Sequence, residues 1–349
     1  MKVDYLIVGG GFAGCVLAWN LLKIGKKVFI LSNPYSNNAS TVAAGIINPI
    51  TGQRFVKSWR WEQFFAQANE FYKDASREVG QELFKPKKII RFFKNEHELS
   101  KWDKKKTQED ISLFVTREWR GQSSYSGVKN NLGGVCIDGG GWANIKKFIK
   151  HCHNILAQQD AIRYEHALSE DFKFTLGQAV WKDQISCNQV VCCTGYQNKS
   201  PWFQDLRWKP AKGELLTLRM NEMPVSNIYS QGIFILPVGN GIVKVGATYS
   251  WDQLDAITTD YARSHLEGEL NRMFDFAYKI LNHEAAVRPI LQDTRPVVGK
   301  HPEIPSLYLL NGLGSKGGLW GPLLARQLIN FIEHDVPLDP ALDLLRNSV

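Results

Sequence analysis

Three glycines near the start of the chain, Gly9, Gly11 and Gly14, have the spacing of a phosphate cradle. In a G-x-G-x-x-G turn the first glycine permits a tight reversal, the second lets main-chain N–H groups approach a pyrophosphate, and the third allows a helix to pack closely on a strand. The helix that follows aims free N–H groups and the positive end of its dipole at the phosphate charge. Phe12 and Ala13 fill the variable positions and share that contact. Dinucleotide binding is the chemistry implied. The acidic residue that would hold the ribose hydroxyls at the end of the second strand falls, by spacing, on Ser32, whose hydroxyl is a weaker partner than a carboxylate.

A second glycine cluster, running from Asn311 to Gly318, opens another helix about 300 residues later, with Pro322 tolerated in its first turn. Gly312, Gly314, Ser315, Lys316 and Gly317 place main-chain N–H groups and one ammonium at a helix start. That arrangement suits the negative charge a flavin takes at N1 and O2 on reduction, a need nicotinamide cofactors do not share. Together the two clusters point to FAD. Between them, the run Gln189–Gly195 reads as a buried strand stopping at a glycine, where open α/β sheets place a cofactor; Thr194 and Gly195 are therefore candidates for contact.

The elements that must position these residues follow from periodicity. Lys2–Val8, a helical pattern through Ala13, Val16, Leu17, Leu21 and Ile24, and Lys27–Leu31 form a strand–turn–helix–strand unit of a parallel sheet. A polar loop over Ser32–Ser40 follows, and a long helix begins near Trp59 and runs toward Val79. From Lys85 to Val135 the pattern is irregular and strand-like, as of an inserted element. A helix is expected over Asn144–Leu156, and strands over Ala161–His166, Phe172–Leu176, Leu215–Arg219, Phe234–Pro237 and Ile242–Ala247, the last three in an antiparallel sheet. Helices over Thr259–Phe274 and from Gly318 to about Glu333, with the run Leu307–Asn311 between them, complete the pattern.

At 349 residues the chain can bury two domain cores, and its 44% hydrophobic and 22% charged content is that of an ordinary globular protein. No apolar run approaches the ~18 residues of a membrane span, and Met1–Gly11 turns into a strand before a signal-peptide core could form, so a cytoplasmic protein is expected. The six cysteines lack metal or C-x-x-C spacing and read as reduced, buried thiols. His151-Cys152-His153 lies in a helical stretch whose neighbouring residues face different ways, which argues against a shared metal. Net charge is +8. Its densest runs, Lys85–Lys88 and Lys101–Lys106, sit in no nucleic-acid module and read as solvated faces.

The sequence resembles the D-amino-acid oxidase and glycine/sarcosine oxidase superfamily of FAD enzymes over nearly its whole length. Val8–Gly14, Ser40–Gly45, Val190–Gly195, Phe234–Pro237 with Val245–Thr248, Arg288–Gly299 and Gly312–Gly318 carry the likeness in order. Gly140-Gly141-Trp142, Gly246–Tyr249, and Val287-Arg288 followed by Asp293 and Pro296–Gly299 look most like the FAD oxidase domain of the bifunctional tRNA wobble-uridine methylaminomethyl biosynthesis enzyme, which also lacks the acid at Ser32. With no methyltransferase half in this sequence, the resemblance implies a stand-alone oxidase. It also implies an α/β fold: a Rossmann-like FAD-binding domain (1–58, 138–203 and 286–349) and an α+β substrate domain with a mainly antiparallel sheet (59–137 and 204–285).

Carried over residue by residue, the resemblance adds Ser40, Thr41, Ala44 and Gly45 to the cofactor contacts. It assigns Arg288 to a substrate carboxylate, with Arg295 as the lesser alternative, and places Tyr249 and Phe234 over the substrate side of the flavin. Phe234 stands where relatives often carry tyrosine. Neither cysteine nor histidine occurs in Gly312–Gly318, so the FAD is expected to be non-covalent. The implied reaction oxidises a Cα–N bond by hydride transfer to flavin N5, with Lys316 stabilising the charge; imine hydrolysis follows, and molecular oxygen or another acceptor takes the electrons. Three readings stay open: oxidation of a small amine or amino acid bearing a carboxylate, removal of the carboxymethyl group from carboxymethylaminomethyl-uridine in tRNA, and flavin binding without turnover.

Overall fold

Lys2–Val8 is apolar at almost every position because the strand is covered on both faces. Tyr5 and Ile7 point into one core cluster while Leu6 and Val8 point into another. In the computed structural model, which describes residues 1–33, 38–125, 127–175, 177–197, 201–222 and 226–347, this strand sits centrally in an eight-stranded sheet. Val28–Ser32 pairs with it in parallel on one side and Ile185–Cys192 on the other. Beyond these lie Ile162–Tyr164 and Leu307–Asn311, also parallel, so five strand ends open at the same edge. The expected loop over 32–40 and strand over 172–176 fall partly outside the described residues; the strand is seen over Phe172–Thr175.

One face of this sheet is covered by helices Phe12–Lys23, Trp61–Val79, Ile145–Gln158 and Gly317–His334. Trp61, Phe64, Ala68, Phe71, Tyr72 and Ala75 form the buried stripe of the second of these. That helix therefore belongs to the core of the first sheet, a correction to the segmentation that groups 59–137 with the second domain. Phe12 anchors the layer, its ring meeting Phe71 and Phe148 edge-on with centroids 6.3 and 5.9 Å apart.

A second eight-stranded sheet runs Lys279–Arg288, Ala211–Arg219, Ile242–Gly246, Ile233–Gly239, Ile228–Gln231, Ile89–Phe92, Gly134–Ile137, Val115–Trp119. Every neighbouring pair is antiparallel except Ile228–Gln231 with Ile89–Phe92. Helix Asp260–Met273, capped by the Thr259 hydroxyl accepting from the Ala262 N–H at 3.2 Å, packs on it through Leu266, Leu270 and Met273. Lys279–Arg288 is a strand the periodicity does not show, and residues 286–288 continue it across the expected boundary at 285/286. Pairing with Ala211–Arg219 holds Lys279–Arg288 as a strand although polar residues and two alanines interrupt its Ile, Leu and Val.

The stretch 85–135 departs from its irregular, strand-like reading in containing helices Glu96–Lys105 and Glu109–Ser112. Asn95 caps the first, accepting from the Glu98 N–H at 2.9 Å, and Trp102 is its sole buried side chain. One buried residue leaves almost no period to read.

Gly14 brings the first helix against the glycine turn so closely that a Cβ there would sit inside contact distance of the Gly9 carbonyl oxygen. Gly14→Ala is expected to lower the unfolding free energy by about 1–3 kcal/mol. A urea midpoint equal to that of the unmutated chain would contradict this packing.

Candidate active site

The open edge of the first sheet and the inner face of the second enclose a cavity of about 980 Å³. Its floor is the glycine turn. Gly9 has φ +116°, and a Cβ on it would collide with the Cys193 carbonyl, just past the end of the neighbouring strand. That approach brings the end of Ile185–Cys192, with Thr194 and Gly195, to the turn. The Ser40 hydroxyl accepts from the Phe12 N–H at 3.0 Å, which leaves its own proton free to donate. Asn38 holds Ser40 in place by accepting from the Ser40 and Thr41 N–H groups at 3.1 and 3.0 Å.

Ala44 and Gly45 line the same wall, braced by the Trp142 Nε1–H donating to the Ala44 carbonyl at 3.0 Å and the Ala143 N–H donating to the Gly45 carbonyl at 2.8 Å. Ser32 lies at the far end, beside Tyr164 on the adjacent strand. Glu165 and His166, not among the expected site residues, line the cavity there, but Glu165 is already paired with Lys182. His153 supports the turn from behind, its Nε2 lying 2.8 Å from the Gly10 carbonyl.

Asn311 joins the two glycine clusters: its amide donates to the Gly195 carbonyl at 3.0 Å, and its carbonyl oxygen accepts from the Gly312 N–H at 2.9 Å. Gly314, Ser315, Lys316 and Gly317 then line the cavity as the last helix begins. Lys316 has no carboxylate within salt-bridge distance among the described residues; its Nζ lies 5.4 Å from the centre of the Trp320 ring, and burial lowers its pKa. A half-buried ammonium at a helix N-terminus, with no carboxylate beside it, favours an anionic neighbour.

Arg288 ends its strand at the cavity wall. Its Nη1 and Nη2 donate to the carbonyls of Lys212 and Thr248 at 3.1 and 3.3 Å, and Cζ lies 4.6 Å from the centre of the Tyr249 ring. Among the described residues no carboxylate pairs with it. Burial pulls its pKa down, while Tyr249 pulls the other way. A residue missed in the sequence explains the room for this group: a Cβ at Gly213 would occupy the position of the Arg288 guanidinium. Glycine inside a strand signals close approach, but not by what.

Gly9, Gly11, Phe12, Ala13, Ser32, Ser40, Tyr249, Phe234 and Arg288 all line the cavity. Gly14, Thr41, Gly312 and Arg295 do not. Gly14 is spent on packing, Thr41 donates its hydroxyl proton to the Asn38 carbonyl, Gly312 turns the chain at φ +74°, and Arg295 is exposed over Trp59.

Glycines that admit main chain to a phosphate, a helix start with an unpaired lysine and a cavity long enough for a dinucleotide define a flavin-nucleotide site. The chain belongs to the DAO family of FAD dependent oxidoreductases, whose model matches residues 4–330. It is thus an FAD-dependent oxidoreductase. It is 24% identical to the uncharacterized oxidoreductase YurR of Bacillus subtilis, over 97% of this chain and 98% of that one. It is 25% identical to the tRNA 5-methylaminomethyl-2-thiouridine biosynthesis bifunctional protein MnmC of Marinobacter nauticus, over 94% of this chain but 55% of that protein. The fold matches glycine oxidase from Geobacillus kaustophilus with a TM-score of 0.83 and 18% identity, covering 97% of each chain. No helix among the described residues is long and apolar enough to cross a membrane.

Lys316→Met removes the one ammonium of the glycine loop while keeping a long, unbranched side chain. A more negative flavin midpoint potential is the expected outcome in a spectroelectrochemical titration. An unchanged potential would take Lys316 away from the reducible ring.

Proposed function

We propose that the enzyme oxidises the C–N bond of an amine carrying a carboxylate, an amino acid or N-substituted glycine. The observation that carries this reading is Arg288, a guanidinium in the cavity wall that among the described residues pairs with no carboxylate, its planar fork suited to bidentate pairing with one from a ligand. Bound FAD supplies the two-electron acceptor. The chain's own residues hold and orient: Arg288 fixes the carboxylate, Tyr249 and Phe234 exclude water, and Lys316 with the helix start offsets negative charge. The substrate loses two electrons and two protons to become an imine, which water splits into a carbonyl compound and an amine. Molecular oxygen or another acceptor then takes the electrons. Cys192 and Cys193 line the site, but burial pushes the first thiol up to about 12 and the second well above its ordinary value, which supports a flavin held without a covalent bond.

A second substrate fits the same chemistry: the carboxymethylamino group on a tRNA wobble uridine. The likeness to the tRNA biosynthesis protein, together with the net charge of +8, favours it. The chain spans about half of that relative, so the partner is proposed on this basis alone.

Anaerobic mixing with glycine, N-substituted glycines, D-amino acids and carboxymethylaminomethyl-modified tRNA is expected to bleach the flavin with one of these classes. Acid precipitation of the same sample should leave the yellow chromophore in solution. A flavin that keeps its oxidised spectrum with every amine would sink the reading.

A further inference from the structure

Beyond the carboxylate anchor stands an exposed aromatic pair, Tyr249 in the cavity lining and Trp251 beside it just outside. Tyr249 and Trp251 are 47% and 55% exposed, and their ring centroids lie 5.1 Å apart. Between them Ser250 pairs with Lys212 in both directions, its N–H donating at 3.0 Å and its carbonyl accepting at 2.8 Å. The two rings are tilted by 51° to one another, so Trp251 continues outward, at an angle, the wall that Tyr249 begins. The inner end of that wall is the Arg288 guanidinium, 4.6 Å beneath the Tyr249 ring.

The segment is pinned rather than loose. Buried Lys212 reaches Asp255 with its Nζ at 2.6 Å, and Asp255 accepts from the Ile257 N–H at 3.0 Å. Leu254 and Ala256 from this segment line the cavity. Two large rings held in water on a fixed support cost hydrophobic free energy that a flat ligand would recover. The same segment also supplies Arg288 with one of its carbonyls, that of Thr248.

We propose that Tyr249 and Trp251 form a stacking subsite for a flat aromatic or heteroaromatic ring, joined through the amine to the carboxylate that Arg288 holds. This rests on the proposed amine oxidation and narrows its substrate class to N-substituted glycines whose substituent ends in a ring. Such a ring can belong to a free small molecule or to a base in RNA; both present a π-face to the pair.

The test compares the holoenzyme with Trp251→Ala and Trp251→Phe. The substrates are N-methylglycine, N-benzylglycine, its saturated analogue N-(cyclohexylmethyl)glycine, carboxymethylaminomethyl-uridine as the free nucleoside, and the same nucleoside within a tRNA. Trp251→Ala should raise KM about tenfold for the ring-bearing substrates, the scale of one lost stack. KM for N-methylglycine and the cyclohexyl analogue should stay within about twofold, and Trp251→Phe should restore most of the loss. A penalty on the nucleoside or N-benzylglycine identifies a free ligand, and one confined to the tRNA identifies RNA; either supports the subsite. Where a ring-bearing compound does not reduce the flavin, its Kd read from the flavin absorption spectrum takes the place of KM. N-methylglycine turnover with no Trp251→Ala penalty on any ring-bearing compound overturns the subsite while leaving amine oxidation standing. Compounds that neither reduce the flavin nor shift its spectrum overturn both.

Discussion

Arg288 is a half-buried cation whose hydrogen bonds, among the described residues, go to two main-chain carbonyls, and two paired strands of the second sheet make that possible. Its strand pairs with Ala211–Arg219 so that Ala211 lies opposite Arg288, and the bare main chain of Gly213 leaves the space the guanidinium fills. Burying a charge without a counter-charge costs several kcal/mol, even after relaxation. In the role proposed for Arg288, a ligand carboxylate would return that cost on binding, and the fork geometry of the guanidinium would orient the ligand.

The cofactor end of the cavity works by the opposite means, close backbone approach in place of side-chain charge. Gly9 against Cys193, Gly14 against Gly9 and Gly45 against Ala143 remove side chains so that strands, turn and helix meet main chain to main chain. Asn311 then ties the strand end at Gly195 to the second glycine cluster, and the Gly314 N–H donates to the Pro289 carbonyl at 3.0 Å. Through that bond the loop carrying Lys316 is fixed to the residue after Arg288. The segments that carry Lys316 and Arg288 are thus tied to each other by a main-chain hydrogen bond.

Local rules make the nucleotide half legible. A strand covered on both faces, a G-x-G-x-x-G turn and a helix with a six-residue apolar stripe each declare themselves within about twenty residues. Lys279–Arg288 stays hidden because its strand state is imposed by a partner some seventy residues away in sequence, against its own composition. Helix Glu96–Lys105 hides because Trp102 alone is buried. Arg288 and Tyr249 are found through family likeness, since nothing in their spacing separates them from ordinary strand residues. Gly213, Asn38, Asn311 and His153 act by what they touch across the fold, and no period or motif records such contacts.

The most direct measurement of the central claim is the steady-state kinetics of Arg288→Ala on whichever carboxylate-bearing amine reduces the flavin, with Arg288→Lys alongside. Loss of the bidentate pair predicts a KM raised about a hundredfold or more, with an unperturbed flavin spectrum and partial recovery in the lysine variant. Unchanged KM in Arg288→Ala would contradict the account, because the unpaired guanidinium would then be structural and the carboxylate would bind elsewhere.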